Sequence, residues 1–219
     1  MTITLPTTGE RYRPGKLLCI GRNYARHAAE MKSDVPSQPM VFLKPSTALI
    51  GSGDTVVIPP QSSEVHHELE LVAVIGKGGK NIPAGDALEH VAGYALGLDM
   101  TARDVQQKAK DKRHPWSVAK GFDTFAPLGE FIPTDGVADV QDILLRLTVN
   151  REVRQEGSTA DMIFPVADLI AYCSTIFTLE PGDLLYTGTP EGVGPVSDGD
   201  VLNATADGFP TLSIRVKSA

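Results

Sequence analysis

The chain has 219 residues, of which 42% are hydrophobic and 21% are charged, so it can bury a full core and is neither disordered nor fibrous. This length fits one core, and we expect a single domain over residues 1–219. The 27 acidic and 20 basic residues give a formal net charge of −7. That balance argues against nucleic-acid binding and against a polybasic membrane patch, and it favours small-molecule partners.

Two further features of composition concern location and cysteine chemistry. Cys19 and Cys173 each lie among apolar residues, which predicts buried free thiols and no zinc site. The first residues lack a basic segment followed by an apolar run, and no stretch approaches the length of a membrane span. We therefore predict a cytoplasmic protein that does not insert into a membrane.

Glycine and proline, with 21 and 16 residues, punctuate short segments along the whole chain, a pattern typical of a β-rich domain. Segments rich in β-branched and aliphatic residues predict the strands. In chain order these are residues 17–20, 41–43, 55–58, 66–75, 91–98, 143–149, 184–187 and 212–216.

Helices are predicted at three places. They are residues 24–31, residues 102–112 with Thr101 as N-cap, and residues 165–174 with proline in the first turn. Together with the strands, these helices predict a mainly antiparallel, β-rich α+β fold.

Glu68 and Glu70 lie in the predicted strand over residues 66–75, where polar alternation gives way to an apolar run. Side chains two residues apart on a strand share a face, so the two carboxylates crowd one region. A Mg²⁺ or Mn²⁺ ion among them would turn their repulsion into coordination by hard oxygen ligands. A solvated strand face is the simpler explanation from these two residues alone.

Asp99 ends the apolar stretch before the second helix and is a candidate third carboxylate. In the helix that follows, Asp104 stands three residues after Thr101, which predicts a capping box. Arg103 lies where the helix macrodipole opposes a cation, so it either belongs to the capping network or grips a carboxylate.

His27 and Glu30 are three residues apart in a predicted helix and so lie side by side. A histidine held by a carboxylate can act as a general base toward water. An ordinary surface pair has the same spacing, and the sequence leaves both explanations open.

Lys120 lies in a weakly polar, loop-like stretch with aromatic neighbours. It could hold a developing oxyanion, or its stem could pack over Trp116 or Phe122. The glycine-rich stretch 187–194 lacks the lysine and spacing of a phosphate-binding loop, so we reject nucleotide binding there. Its amides and Thr189 could face another ligand, or it could be a plain turn.

Taken in order, five motifs of this chain resemble those of the fumarylacetoacetate hydrolase family over residues 17–216. Its length and His-x-x-Glu element are similar to those of small members that act as acylpyruvases and oxaloacetate decarboxylases. The motifs are Ile-Gly-Arg-Asn-Tyr at 20–24 followed by His27 and Glu30, His-His-Glu-Leu-Glu at 66–70, Asp-Met-Thr-Ala-Arg-Asp-Val-Gln at 99–106, Pro115-Trp116 with Lys-Gly-Phe-Asp at 120–123, and Thr-Gly-Thr-Pro-Glu-Gly-Val-Gly at 187–194.

The resemblance implies a mixed β-sandwich roll with a few short helices, usually dimeric, with Mg²⁺ or Mn²⁺ as cofactor. It also implies a lid over about residues 22–36. One departure is Asn150-Arg151-Glu152, where many relatives have glycine in the middle of a hairpin turn. The residue roles that it implies are metal binding by Glu68, Glu70 and Asp99, catalysis by His27, Glu30 and Lys120, and substrate binding by Arg22, Arg103, Gln106 and Thr189.

The activity implied is hydrolysis of the C–C bond of 2,4-dioxo acids such as acetylpyruvate or fumarylpyruvate, giving pyruvate and a carboxylic acid. The same site could decarboxylate oxaloacetate, a reaction that needs no attacking water. The alternatives are an isomerase or decarboxylase of homoprotocatechuate-pathway intermediates in aromatic breakdown and, from another class, an inactive ligand-binding β-roll. Such a roll requires loss of the base or the lysine, whereas His27 and Lys120 are both present.

Overall fold

The computed structural model describes residues 1–5, 8–30 and 34–219. Its strands are β1 Ile3–Thr4, β2 Arg11–Tyr12, β3 Leu17–Gly21, β4 Met40–Lys44, β5 Leu49–Gly51, β6 Thr55–Ile58, β7 Val65–His67, β8 Leu69–Ile75, β9 Val91–Leu98, β10 Thr101–Ala102, β11 Ala126–Leu128, β12 Ile132–Pro133, β13 Leu144–Val149, β14 Glu152–Ser158, β15 Leu184–Tyr186, β16 Gly194–Pro195, β17 Val201–Thr205 and β18 Leu212–Ser218.

The helices are few and short. The α-helices are α1 Ala25–Glu30, α2 Arg103–Asp111, α3 Ser117–Lys120 and α4 Val166–Ile176, and single 3₁₀ segments cover Ser46–Ala48, Ala84–His90, Thr134–Gly136 and Thr159–Asp161. Among the described residues, no helix has the length and apolar character needed to cross a membrane.

Two packed sheets carry the fold. The larger runs in the order β4-β3-β15-β8-β9-β11-β5, with β12 paired to β9, and the smaller runs β14-β13-β17-β18-β6. One apolar cluster joins them, since it contains Leu71 of β8 together with Leu147 of β13. Val72 of β8 belongs to a second cluster. Because both faces of β8 are covered, its residues are apolar throughout except for Glu70.

The mainly antiparallel, β-rich α+β fold and its mixed sandwich form are confirmed. Most pairs are antiparallel, but β3 with β15, β5 with β11 and β6 with β18 are parallel. The chain also forms the edge strand β14 and strand β17, which the sequence did not predict because β14 is almost entirely polar and the apolar residues of β17 are interrupted by Asn203.

Two local predictions also have outcomes. The first helix covers Ala25–Glu30, and its predicted last residue, Met31, lies outside the described residues. The capping prediction is wrong: Thr101 lies in β10 and its hydroxyl donates to the Asp99 carbonyl, while Asp104 accepts hydrogen bonds from Ser62 and Val105. The side chain of Thr101 is therefore not available to α2.

The β13–β14 turn keeps a left-handed backbone without glycine. Asn150 and Arg151 have φ values of 52° and 72°. A two-residue hairpin turn of this kind needs positive φ at both positions, and asparagine tolerates it better than arginine does. Asn150 also donates to Asp200 and accepts from Val201 N, contacts that hold the turn. The departure at this position changes the residue but not the turn.

Candidate active site

Three carboxylates meet where β8 begins and β9 ends. Glu68 occupies the one-residue break between β7 and β8, Glu70 lies in β8, and Asp99 directly follows β9. Leu69 pairs with Leu98, and the Asp99 amide donates to the Glu68 carbonyl at 2.8 Å. Ligand oxygens of the three carboxylates lie within 4.8 Å of one another, and all three residues are buried. Sheet register therefore brings together residues about thirty positions apart.

Three cationic side chains surround these carboxylates. Lys120 Nζ lies 2.8 Å from Glu68 Oε2 and 2.5 Å from Asp99 Oδ2. Arg103 donates to Glu68 Oε1 at 2.5 Å, and Lys44 Nζ lies 2.5 Å from Asp99 Oδ1. Buried charges are retained only when they are paired in this way. The sequence left two roles for Arg103, a capping network or a contact with a carboxylate. In the structure Arg103 contacts a carboxylate of the protein itself, Glu68.

The pKa values of the cluster diverge because its charges are unevenly distributed. Burial raises the pKa of Glu70 well above its ordinary value, and the charges of Asp99 and Glu68 raise it further. Burial also works against the charged form of Glu68, but Lys120 and Arg103 outweigh it and hold the Glu68 pKa well below its usual range. For Lys120, burial is outweighed by Asp99 and Glu68, so its pKa is raised. In this arrangement Glu68 is ionised and Lys120 is charged.

The donor set fits a hard divalent cation. Asp99 Oδ1 accepts no hydrogen bond within the described residues, although it is buried and near Lys44, whose ammonium donates to the carbonyls of Met100 and Phe125. Lys44 thus forms an ion pair with Asp99 without a hydrogen bond to Oδ1. An unsatisfied buried carboxylate oxygen beside Glu68 and Glu70 is a suitable ligand for Mg²⁺ or Mn²⁺.

The stretch 187–194 closes one side of the cluster. The Gly188 amide donates to Glu70 Oε2 at 2.8 Å. Gly188 has φ +98°, and a Cβ there would lie 2.6 Å from the Cβ of Asn23. Only glycine satisfies both the backbone angle and the close approach. The loop is therefore more than a plain turn, since its backbone holds one of the three carboxylates.

Gln155, on β14, links this loop to the strand that carries the carboxylates. Its Oε1 accepts from the Leu69 amide and contacts His67 Nδ1, each at 2.9 Å. Its Nε2 donates to Thr189 Oγ1 at 2.8 Å and to the Pro190 carbonyl at 3.0 Å. Because Leu69 N can only donate, the amide orientation is unambiguous, and the Thr189 hydroxyl hydrogen is left to point elsewhere. Thr189 is thereby prepared to donate to a ligand.

His27 and Glu30 meet as the sequence predicted. His27 Nδ1 lies 3.3 Å from Glu30 Oε2, and His27 is buried. Glu30 also accepts from the Gly192 amide, while Arg26 pairs with Glu191 at 3.2 Å, so α1 is attached to the glycine-rich loop. Burial lowers the pKa of His27, although Glu68 and Glu30 oppose that change. The ring is neutral near pH 7 and able to accept a proton.

One pocket collects most of the candidate residues. Asp99 and Glu30 do not line the pocket themselves, but Asp99 contacts the lining residue Lys120 and Glu30 contacts the lining residue His27. Lys120 lies over Phe42, with Nζ 4.9 Å from the ring centroid, rather than over Trp116 or Phe122. The candidate residues that line the pocket are Arg22, His27, Glu68, Glu70, Arg103, Gln106, Lys120 and Thr189.

Sequence reasoning missed three residues of this site. Lys44 ends an apolar strand, where a lone lysine is unusual enough to have drawn attention. Lys110 shares a helical face with Arg103 and Gln106, and that spacing is visible in the sequence. Gln155 carries no local signal, because its role depends on contacts with residues that are remote along the chain.

The chain belongs to the fumarylacetoacetate hydrolase family: the family model described as fumarylacetoacetate (FAA) hydrolase C-terminal matches residues 16–217. The resemblance found in the sequence is thus confirmed. The chain is 48% identical over 201 residues to an oxaloacetate tautomerase, mitochondrial, of Mus musculus, covering 92% of this chain and 91% of the relative. It is also 48% identical over 197 residues to an oxaloacetate decarboxylase, mitochondrial, of Dictyostelium discoideum, covering 90% of each.

A solved structure has the same architecture. The crystal structure of a fumarylpyruvate hydrolase from Pseudomonas aeruginosa, in complex with Mn²⁺ and pyruvate, superposes with a TM-score of 0.92 at 40% identity. The match covers 100% of this chain and 96% of that one. The likeness therefore extends over the whole sandwich and its pocket-forming elements.

Proposed function

We propose that this protein is a divalent-metal-dependent hydrolase that cleaves the C–C bond of 2,4-dioxo acids to pyruvate and a carboxylic acid, and that also decarboxylates oxaloacetate. The observation that carries the proposal is a single pocket onto which a buried carboxylate triad, a charged lysine and a neutral histidine converge. Two relatives support the proposed reactions, since one is a fumarylpyruvate hydrolase and the other is an oxaloacetate decarboxylase.

Glu68, Glu70 and Asp99 would hold Mg²⁺ or Mn²⁺, and the Mn²⁺ in the Pseudomonas aeruginosa relative supports this choice. When bound, the cation would supply a chelating site for the carboxylate and 2-oxo oxygens of the substrate and offset negative charge on the latter. The donor chemistry of the three carboxylates is the basis for this part of the proposal.

His27 acts on water in the proposed hydrolysis. With Nδ1 facing Glu30, its Nε2 accepts a proton from a water molecule, and the resulting hydroxide attacks C4. The C3–C4 bond then breaks, its electron pair forms the pyruvate enolate, and protonation at C3 completes pyruvate. Lys120 donates hydrogen bonds to the oxygen on which negative charge develops. In oxaloacetate the same bond breaks with loss of CO₂, and no water attacks.

Four residues are proposed to hold the substrate. Thr189 donates its free hydroxyl hydrogen, and Gln106, whose Oε1 accepts from Arg103, offers its amide. Arg103 and Arg22 add positive charge along the pocket lining, where an anionic substrate is stabilised. These roles orient a 2-oxo acid relative to His27.

A turnover screen tests the proposed activity. With Mg²⁺ or Mn²⁺ the wild-type protein should convert acetylpyruvate and fumarylpyruvate to pyruvate, and oxaloacetate to pyruvate and CO₂, and chelation by EDTA should abolish every activity. Pyruvate release can be followed with a coupled dehydrogenase. Absence of C–C cleavage on all three substrates with both metals would refute the proposal.

A second candidate is isomerisation. The Mus musculus relative is named an oxaloacetate tautomerase, and tautomerisation only moves a proton between C3 and the 2-oxo oxygen, without C–C bond cleavage. The runner-up activity in the breakdown of aromatic compounds, isomerisation of homoprotocatechuate-pathway intermediates, needs the same proton transfers. Oxaloacetate whose enol content re-equilibrates faster with the protein than without it, with no release of CO₂, would favour this candidate.

We further propose that residues 1–219 act as one cytoplasmic catalytic domain that forms a homodimer and has a lid over about residues 22–36. The attachment of α1 to the glycine-rich loop supports the lid, of which residues 31–33 lie outside the described part. Light scattering at micromolar concentration should give twice the chain mass of 23.4 kDa. A mass equal to one chain would contradict the dimer.

A further inference from the structure

Helix α2 extends the pocket away from the carboxylates. Arg103, Gln106 and Lys110 are spaced three and four residues apart, so they share one face of the helix, and all three line the pocket. A rise of 1.5 Å per residue places Lys110 about 10 Å along the helix axis from Arg103. Because Arg103 contacts Glu68, Lys110 marks the far end of the pocket.

Two aromatic rings separate the lysine at the carboxylates from the lysine at the far end. Lys120 Nζ lies 4.9 Å from the Phe42 ring centroid, and Lys110 Nζ lies 5.5 Å from that of Trp116. The two rings contact edge to face, with centroids 6.1 Å apart. Together with Met40 they form an apolar wall along the pocket. Such a wall suits a flat acyl chain that lies between the two cationic ends.

Two cations of the pocket lining, Lys110 and Arg22, have no anionic partner among the residues described by the structure. Arg22 follows Gly21, where a Cβ would lie 3.7 Å from the Trp116 ring, so it belongs to the same end of the pocket as Lys110. No carboxylate there lies within ion-pair distance of Lys110 or Arg22, whereas the exposed Lys108 on the same helix lies 4.0 Å from Asp104. Arg22 has φ 59°, a left-handed backbone conformation that is unfavourable for arginine. Strain of this kind is retained where the position of a side chain matters.

Lys110 is half-buried, and the charges around it are mostly of its own sign. Burial lowers its pKa, and the charges of Arg103 and Arg22 lower it further, while the charge of Glu68 opposes them. An anion placed between Lys110 and Arg22 would offset both the lost solvation and the repulsion. The far end of the pocket is thus complementary to a negative group that the described chain does not supply.

We propose that Lys110, together with Arg22, binds a carboxylate at the far end of the acyl chain, which selects dicarboxylic 2-oxo acids over their monocarboxylic counterparts. This inference rests on the proposed function, because it assumes that the 2-oxo acid head lies at Glu68, Glu70 and Asp99. The apolar wall places the acyl chain, and Lys110 is the specificity-determining residue at its end.

Binding of unreactive ligands tests the inference without turnover. 2-Oxopimelate and 2-oxoheptanoate have the same chain and differ only in the terminal carboxylate, and neither has the 4-oxo group needed for cleavage. In calorimetric titrations with Mn²⁺ present, the wild type should bind 2-oxopimelate at least about tenfold more tightly than 2-oxoheptanoate. This ratio of affinities is the one expected for one charge-assisted hydrogen bond. Lys110→Met should reduce this ratio to near one, and Lys110→Arg should preserve most of it.

Lys108→Met is the matched control, because Lys108 lies on the same helix but outside the pocket lining, and it should retain the wild-type ratio. A wild-type ratio near one, or an unchanged ratio in Lys110→Met, would overturn the inference. Kinetics provide a second arm: the preference for fumarylpyruvate over crotonylpyruvate, which ends in a methyl group, should also collapse in Lys110→Met.

The two arms separate failure of the inference from failure of the proposed function. A protein that cleaves neither substrate but shows the Lys110-dependent binding ratio would refute the hydrolase proposal and support the subsite. A protein that cleaves both substrates with the same preference before and after Lys110→Met would support the hydrolase and refute the subsite.

Discussion

Asp99→Asn is expected to remove most of the affinity for Mn²⁺ and to abolish hydrolysis and decarboxylation together. The substitution deletes the charge of one of the two carboxylates that are paired in the folded protein with Lys44, Lys120 and Arg103. The remaining cluster has an excess of positive charge, which opposes a divalent cation, and it lacks a hard oxygen ligand. Both proposed reactions depend on the same cation, so their losses should be parallel.

Isothermal titration with Mn²⁺ measures the first effect, and pyruvate release measures the second. Asp183→Asn is a matched control, since Asp183 is equally buried and paired with Lys16 but lies outside the carboxylate cluster. That control is expected to lose stability and to retain Mn²⁺ affinity. Mn²⁺ affinity that stays at the wild-type value in folded Asp99→Asn would show that Asp99 is not a metal ligand.

His27→Ala is expected to separate the two proposed reactions. Removal of a positioned general base costs about 10²- to 10⁴-fold, so acetylpyruvate hydrolysis should fall by that order. Decarboxylation of oxaloacetate should fall much less, because it uses no attacking water. Lys120→Ala should depress both reactions, since Lys120 contacts Glu68 and Asp99 and would stabilise the enolate formed in each.

Steady-state kinetics on both substrates with one His27→Ala preparation provide the measurement, and His114→Ala, at an exposed histidine, is the control. Equal losses in the two reactions would mean that His27 positions every substrate and is not a base dedicated to water. The pH dependence of hydrolysis is a second check. Because burial lowers the His27 pKa from 6.5, the base should stay neutral below that pH, and the wild type should keep its hydrolytic activity there.

The strands were predictable where burial controls the sequence. Strand β9 was predicted with its observed bounds, since both of its faces are covered and its residues are apolar throughout. The break at Glu68 was not predictable from residues 66–75 alone, because it arises from pairing: β7 pairs with β10 and β16, whereas β8 pairs with β9 and β15. The turn at Arg151 was uncertain for a similar reason, as contacts with Asp200 hold it.

Site residues were likewise predictable where local spacing relates them, and not where contacts between remote segments do. Glu68 and Glu70 were found from strand periodicity, and His27 with Glu30 from helical spacing, which are local relations. Lys44 and Gln155 act through residues that are distant in sequence, so no spacing rule finds them.

The ion pairs between Lys120 and the carboxylates affect how folding depends on metal binding. In small metal-dependent domains the ligands repel one another until the ion arrives, and folding therefore waits for it. Here the ammonium of Lys120 bridges Glu68 and Asp99, and Arg103 and Lys44 compensate the remaining charge. The cations that neutralise the carboxylates at the sheet edge are thus side chains of the same chain. Neutralisation of these carboxylates in the folded chain therefore does not require a bound cation.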